Sequence, residues 1–132
     1  MIIVDQDKQS ISITRGDYAA LVFCAYEDET TLHNLSEGDT VQLQIGKTYG
    51  NPLKKWVRTK NDSSATTHTD YTVEIQPEDT KEMKFGEYVY DVSIITSGGG
   101  VFTYIGDNGV IKPTFTILKE VGSSEEGEEN DG

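Results

Sequence analysis

The readiest candidates for acid-base, nucleophilic or soft-metal chemistry near neutral pH are two imidazoles, His33 and His68, and one thiol, Cys24. The two histidines stand 35 positions apart in polar stretches, without the close spacing that sets two rings on one ion, so a shared metal or general-base role is not predicted. A lone cysteine makes neither an intramolecular disulfide nor a thiolate cluster. Cys24 sits in the apolar run Ala19-Ala20-Leu21-Val22-Phe23-Cys24-Ala25 and reads as a small buried hydrophobe. Asp28, Glu29 and Asp39 lack calcium-loop spacing, and Asp107-Asn108-Gly109 lacks the carboxylates that would follow it in such a loop. A calcium site assembled across loops stays an open alternative. Ser97-Gly98-Gly99-Gly100 precedes neither a helix nor a Gly-Lys-Ser/Thr ending, so it reads as a hairpin tip and not a phosphate cradle. Arg15-Gly16-Asp17 spells the integrin-binding tripeptide, but three residues arise readily by chance and here suit a turn. The expectation is a chain that is not an enzyme, with no catalytic residues, no cofactor and no metal.

The elements around these residues follow period-two alternation, with turn residues every eight to fifteen positions and almost no helical periodicity. Residues 10–14 alternate cleanly. Residues 18–26 are nearly all apolar and predict a central strand covered on both faces. Val41, Leu43 and Ile45 form the inward set of the next strand, and residues 54–60 a shorter one around Trp56. Residues 61–67 read as an exposed polar loop. Tyr71, Val73 and Ile75 mark another strand, after which Pro77-Glu78-Asp79-Thr80 opens a turn that ends at Gly86. Residues 87–96 place Tyr88, Tyr90, Val92 and Ile94 on one side. Residues 101–105 and 114–118 complete the set, joined through a tight hairpin turn at Asp107-Asn108-Gly109. Eight or nine short strands without a crossover helix predict an all-β fold, an antiparallel immunoglobulin-like β-sandwich, with a closed barrel as the alternative. Tyr88 then suits the corner tyrosine of such sandwiches, with Tyr90 at the position that a disulfide cysteine takes in immunoglobulins. Both are equally readable as ordinary core residues.

One domain over residues 1–121 and a disordered acidic tail over 122–132 fit the length and composition. Five of the twelve net negative charges, Glu125, Glu126, Glu128, Glu129 and Asp131, fall in that tail. The remaining acidity argues against nucleic acid as a partner, because Lys54, Lys55, Arg58 and Lys60 are a local cluster and not a basic stripe. No stretch reaches membrane-spanning length, and residues 1–4 are too short for a classical secretion signal. Protein partners are the expectation, a symmetric homo-oligomer of the chain among them. Trp56, Tyr49, Phe102 and Tyr104 are the candidate interface residues. Trp56 reads as core plug or interface anchor. Carbohydrate stacked on Trp56, Tyr49 or Tyr104 is a second reading, and an acidic phage-encoded inhibitor of a basic host protein is a third.

The order of junctions resembles a known group. Ile13-Thr14-Arg15-Gly16-Asp17, Leu35-Ser36-Glu37-Gly38-Asp39-Thr40-Val41, Ile75 with Pro77-Glu78-Asp79-Thr80, and Phe85-Gly86-Glu87-Tyr88-Val89-Tyr90-Asp91-Val92 are similar to the pattern of small modules from tailed bacteriophages. These are the N-terminal domain of baseplate upper proteins and related tail or prophage structural domains. The resemblance spans roughly residues 10–118. It implies a non-catalytic structural or adhesion part, assembled as a symmetric oligomer and located in the virion or the bacterial cytoplasm. The chain departs from longer baseplate proteins in having no coiled coil or receptor-binding head, and the acidic tail is not implied by the resemblance.

Overall fold

The computed structural model describes residues 2–26, 31–62 and 68–119. The acidic segment 122–132, the connection through Glu27 and Glu29, and most of the polar loop after Asn61 lie outside them. The described strands are β1 Ile2–Asp5, β2 Ser10–Thr14, β3 Ala19–Cys24, β4 Thr40–Gly46, β5 Pro52–Arg58, β6 Asp70–Ile75, β7 Gly86–Ile95, β8 Val101–Ile105 and β9 Thr114–Leu118. A single helical turn, α1 (Pro77–Thr80), separates β6 from β7. The Asp79 carboxylate accepts from the Gln76 N–H at 2.7 Å and fixes where that turn begins.

Seven strands form one sheet in the order β1-β2-β9-β7-β4-β5, with β8 also paired to β7, and β3 pairs with β6 in a second sheet of two. The large sheet is mixed, because β2 and β9 run parallel, Ser10 opposite Thr114 through Thr14 opposite Leu118. This corrects the expectation of purely antiparallel sheets. Alternation fixes which face of a strand turns inward, but leaves open the direction of its neighbour. The tight hairpin between β8 and β9 is likewise absent. β9 pairs with β7 at residues 86–89 and β8 pairs with it at residues 92–95, so both lie along the same side of β7. The loop joining them is organised by side chains, with the Gly109 N–H donating to Asp107 and the Val110 and Ile111 N–H groups to Asn108. Pro113 therefore precedes an interior strand and not an edge.

One apolar cluster holds the described residues of both sheets together. Ile11 and Ile13 of β2, Val41, Leu43 and Ile45 of β4, Tyr71, Val73 and Ile75 of β6, and Phe115 and Ile117 of β9 are its alternating inward positions. The strand buried on one face and partly covered on the other is β7, where Val89 and Ser93 are buried along with Tyr88, Tyr90, Val92 and Ile94. Cover on both faces was expected of residues 18–26. In β3 only Ala19, Leu21 and Phe23 are buried, while Ala20, Val22 and Cys24 face out, so the cysteine expected to be buried is exposed.

Two long side chains fasten the ends of this framework. Arg58, at the end of β5, donates Nε to the Thr72 carbonyl of β6 at 2.9 Å and so joins the outer strand of the large sheet to the small one. Arg15 is buried, donates to the Met83 carbonyl at 3.3 Å and lies 4.2 Å from the centroid of the Phe85 ring. Gly16 donates to the Thr80 hydroxyl at 2.9 Å. The Arg-Gly-Asp turn is thereby built into the base of α1, where its arginine serves the fold and is not displayed.

The Tyr88 hydroxyl donates to the Lys84 carbonyl at 2.8 Å, four residues upstream and just before β7 begins. The bond gives an acceptor of the turn a partner where no strand reaches it. Tyr88→Phe is expected to cost about 1 kcal/mol of unfolding free energy. Chemical denaturation reads this directly, and an unchanged midpoint would show that the bond is replaced by water at no cost.

Candidate functional site

Of the four aromatic residues expected at an interface, two turn inward. Trp56 stands in one cross-strand row with Leu43, Val92 and Ile105, the inward row of the sheet, and packs half-buried against the core. Tyr104 is half-buried, its hydroxyl shares a hydrogen bond with that of Tyr71, and its ring meets Tyr26 edge-on at 6.3 Å. A register shift in the β7/β8 pairing between Val92 and Ser93 allows Tyr104 and Ile105 both to reach the core. Burial pushes both the Tyr71 and the Tyr104 hydroxyls far above their ordinary range, and the bond they share raises Tyr71 further while it partly offsets the rise at Tyr104. Neither Trp56 nor Tyr104 is fully exposed. Tyr88 and Tyr90 are core residues, with the Tyr90 hydroxyl pushed up to about 12 by burial.

Phe102 and Tyr49 remain exposed, on different elements. Phe102 lies on β8. Tyr49 sits in the β4–β5 turn and donates its hydroxyl to Asp107 at 3.0 Å, bridging that turn to the β8–β9 loop. Burial and the Asp107 carboxylate raise the Tyr49 pKa. Asp107 is held below its usual range by the Gly109 N–H and by Tyr49. Beside this bridge is an open pocket of about 240 Å³ lined by Gln44, Thr48, Tyr49, Tyr90 and Asp91 among others. That volume is smaller than the pockets that enclose drug-sized ligands. Asp91 stands at it with one carboxylate oxygen, Oδ1, buried and without a hydrogen-bond partner, and burial raises its pKa. Sequence reasoning passed over Asp91, because an aspartate within an alternating strand reads as a solvated position.

The histidines are also placed by the fold. His33 Nε2 lies 3.1 Å from the Asp39 carboxylate, and the Leu35 N–H donates to the His68 carbonyl at 2.9 Å, so the two histidine-bearing segments are neighbours. Asp39 is buried and accepts from the Ser36 N–H at 2.9 Å and the Ser97 N–H at 3.0 Å as well as from His33. Burial alone raises its pKa, but these donors outweigh it and the carboxyl lies below its ordinary range. The cluster ties the 36–39 turn to the β7–β8 hairpin, a structural use of residues that the sequence left in separate loops. Among the described residues no group of three or more His, Cys, Asp or Glu side chains gathers to hold a metal ion. Among them, too, no helix is long and apolar enough to cross a membrane. No protein-family model, curated protein or solved structure matches the chain.

The exposed apolar side chains of the strands lie elsewhere. Every large exposed hydrophobe within a strand belongs to β1, β3, β5 or β8: Ile3 and Val4, Val22, Leu53 and Val57, Val101 and Phe102. None belongs to β2, β9, β7 or β4, the four interior strands of the large sheet.

Proposed function

We propose that this chain is a non-catalytic structural module of a phage or prophage, of the tail or baseplate kind, that acts in protein-protein assembly. The observation that carries the reading is the confinement of exposed strand hydrophobes to edge strands. A sheet edge offers unpaired main-chain donors and acceptors, and apolar side chains beside them add contact area to a neighbour's strand. The finer fold reading, an immunoglobulin-like sandwich, belongs to the same proposal. It is supported by two sheets sharing one core and by the Tyr88 bond to Lys84 just ahead of β7.

The carbohydrate reading has two of its three stacking rings half-buried against the core and keeps only Tyr49 exposed, beside a small open pocket. The acidic-inhibitor reading rests on the acidity of the whole chain, five of whose twelve net negative charges lie in the segment outside the described residues. Assembly is therefore the reading we adopt. Light scattering after size exclusion is expected to give a discrete multiple of the 14.6 kDa chain mass. A strictly monomeric species at every concentration and salt would count against the reading.

A further inference from the structure

We propose that the free edge of β3 pairs with β3 of a second copy of this chain, antiparallel about a twofold axis at Val22, making one four-stranded sheet from two small ones. The inference rests on the assembly reading above and names its partner and contact.

The direction of the backbone groups comes from the register. β3 pairs with β6 without interruption from Ala19 opposite Ile75 to Cys24 opposite Asp70, and the Ala25 N–H continues that ladder by donating to the Thr69 carbonyl at 2.8 Å. In an antiparallel pair the residues that bond to the partner alternate along the strand. Ala25 bonds to β6, so Phe23, Leu21 and Ala19 do too, and Ala20, Val22 and Cys24 turn their N–H and C=O groups to the other side. No described strand lies on that side.

The core is also less completely covered there. Ala19, Leu21 and Phe23, the inward residues of β3, retain 5%, 7% and 9% of their surface, whereas their β6 partners Ile75, Val73 and Tyr71 retain 0%, 0% and 1%. A strand laid against β3 would cover what β6 covers on the other flank. Two strands alone are marginal as a sheet, and a third or fourth gives it independent stability.

The other exposed edges carry devices that discourage pairing, and on the outer edge of β6 these are Asp70, Glu74 and the Thr72 carbonyl already taken by Arg58. β1 ends in Asp5, β5 contains Pro52, Lys54, Lys55 and Arg58, and the pairing of β8 is interrupted by a register shift. β3 has neither charge, proline nor bulge. In a chain of formal charge −12, an uncharged strand is where two copies can meet without opposing carboxylates. The arrangement is self-complementary as well. With Val22 opposite its own copy, Ala20 falls opposite Cys24 of the partner, and outward backbone groups meet outward backbone groups, giving about six main-chain hydrogen bonds. Asp70 and Glu74 of β6 are then separated from those of the second copy by three strand spacings, roughly 14 Å, beyond the screening length at physiological salt.

Val22 is 63% exposed and its side chain stands clear of the core, so Val22→Lys adds a charge at the axis without removing a buried contact. The experiment compares the solution masses of the wild-type chain, Val22→Lys, and Ala20→Lys, which alters the same edge, with circular dichroism and a thermal melt on each. The expected result is a wild-type mass that is an even multiple of the chain and falls to half in both folded lysine variants, while Val22→Thr keeps the wild-type mass. A wild-type oligomer whose mass survives in the folded lysine variants overturns the β3 pairing and leaves the assembly reading standing. A monomeric wild type overturns both.

Discussion

Gly38→Ala is expected to lower the unfolding free energy by about 2–4 kcal/mol, the sum of a strained backbone and an overpacked contact. Gly38 has φ +90°, in the left-handed region that side chains rarely enter, and an added Cβ would lie 2.8 Å from the Ser97 Cβ. Ser97 has little freedom to retreat, because its N–H is committed to Asp39. Moving it would loosen the hydrogen bond that joins the 36–39 turn to the β7–β8 hairpin. Gly50 serves as the control. Its φ is +85° but nothing lies within 4 Å of an added Cβ, so Gly50→Ala should show only the backbone part, about 1–2 kcal/mol. Urea denaturation of the three proteins checks this, and equal losses at both positions would mean that the Ser97 contact relaxes freely.

The second large effect is expected at Asp39. Asp39→Asn keeps the volume but places an amide N–H₂ against at least one of the N–H donors of Ser36 and Ser97, at a cost of about 2–3 kcal/mol at neutral pH. The pH dependence has a definite sign. The folded-state pKa of Asp39 is lowered below its unfolded value, so its contribution is fully present above the unfolded pKa and is lost as pH falls through the folded one. The stability difference between wild type and Asp39→Asn should therefore shrink as the solution becomes more acidic than the ordinary aspartate pKa, about 3.9. A difference that persists unchanged into strong acid would show that geometry and not charge sets the cost. The comparison between the two proteins removes the many other carboxylates of this acidic chain from the result.

The strands legible in the sequence were those whose two faces differ in chemistry. Serines and threonines between Ile11, Ile13, Phe115 and Ile117, and glutamines between Val41, Leu43 and Ile45, mark the outward positions of β2, β9 and β4. β3 misled because its outward residues, Ala20, Val22 and Cys24, are as apolar as its inward ones. A strand covered on both faces and a strand with an uncovered apolar face give the same run of letters. β7 misled in the opposite sense, since Ser93 and Asp91 suggested an open face that is in fact partly covered. The Arg15 contact with Phe85, the Asp39 contact with Ser97 and the parallel pairing of β2 with β9 all join segments distant in sequence, and local pattern carries no signal of which distant partner a strand or turn will meet. The candidate interface residues were chosen by ring type. Ring type alone does not separate Trp56 and Tyr104, which pack inward, from Tyr49 and Phe102, which do not.

The β2/β9 ladder also bears on how the fold is reached. Its residues are about a hundred positions apart, Ser10 against Thr114, and β9 separates β2 from β7 in the large sheet. Bringing such distant segments together costs loop-closure entropy before the contact returns any energy, and topologies dominated by such pairings fold in milliseconds to seconds. Until residue 118 has left the ribosome, β1 and β2 have no sheet to join, and Ile11 and Ile13 stay uncovered on the nascent chain. Completion of this sheet thus waits on β9, the last of the described strands in chain order and the one that links β2 to β7.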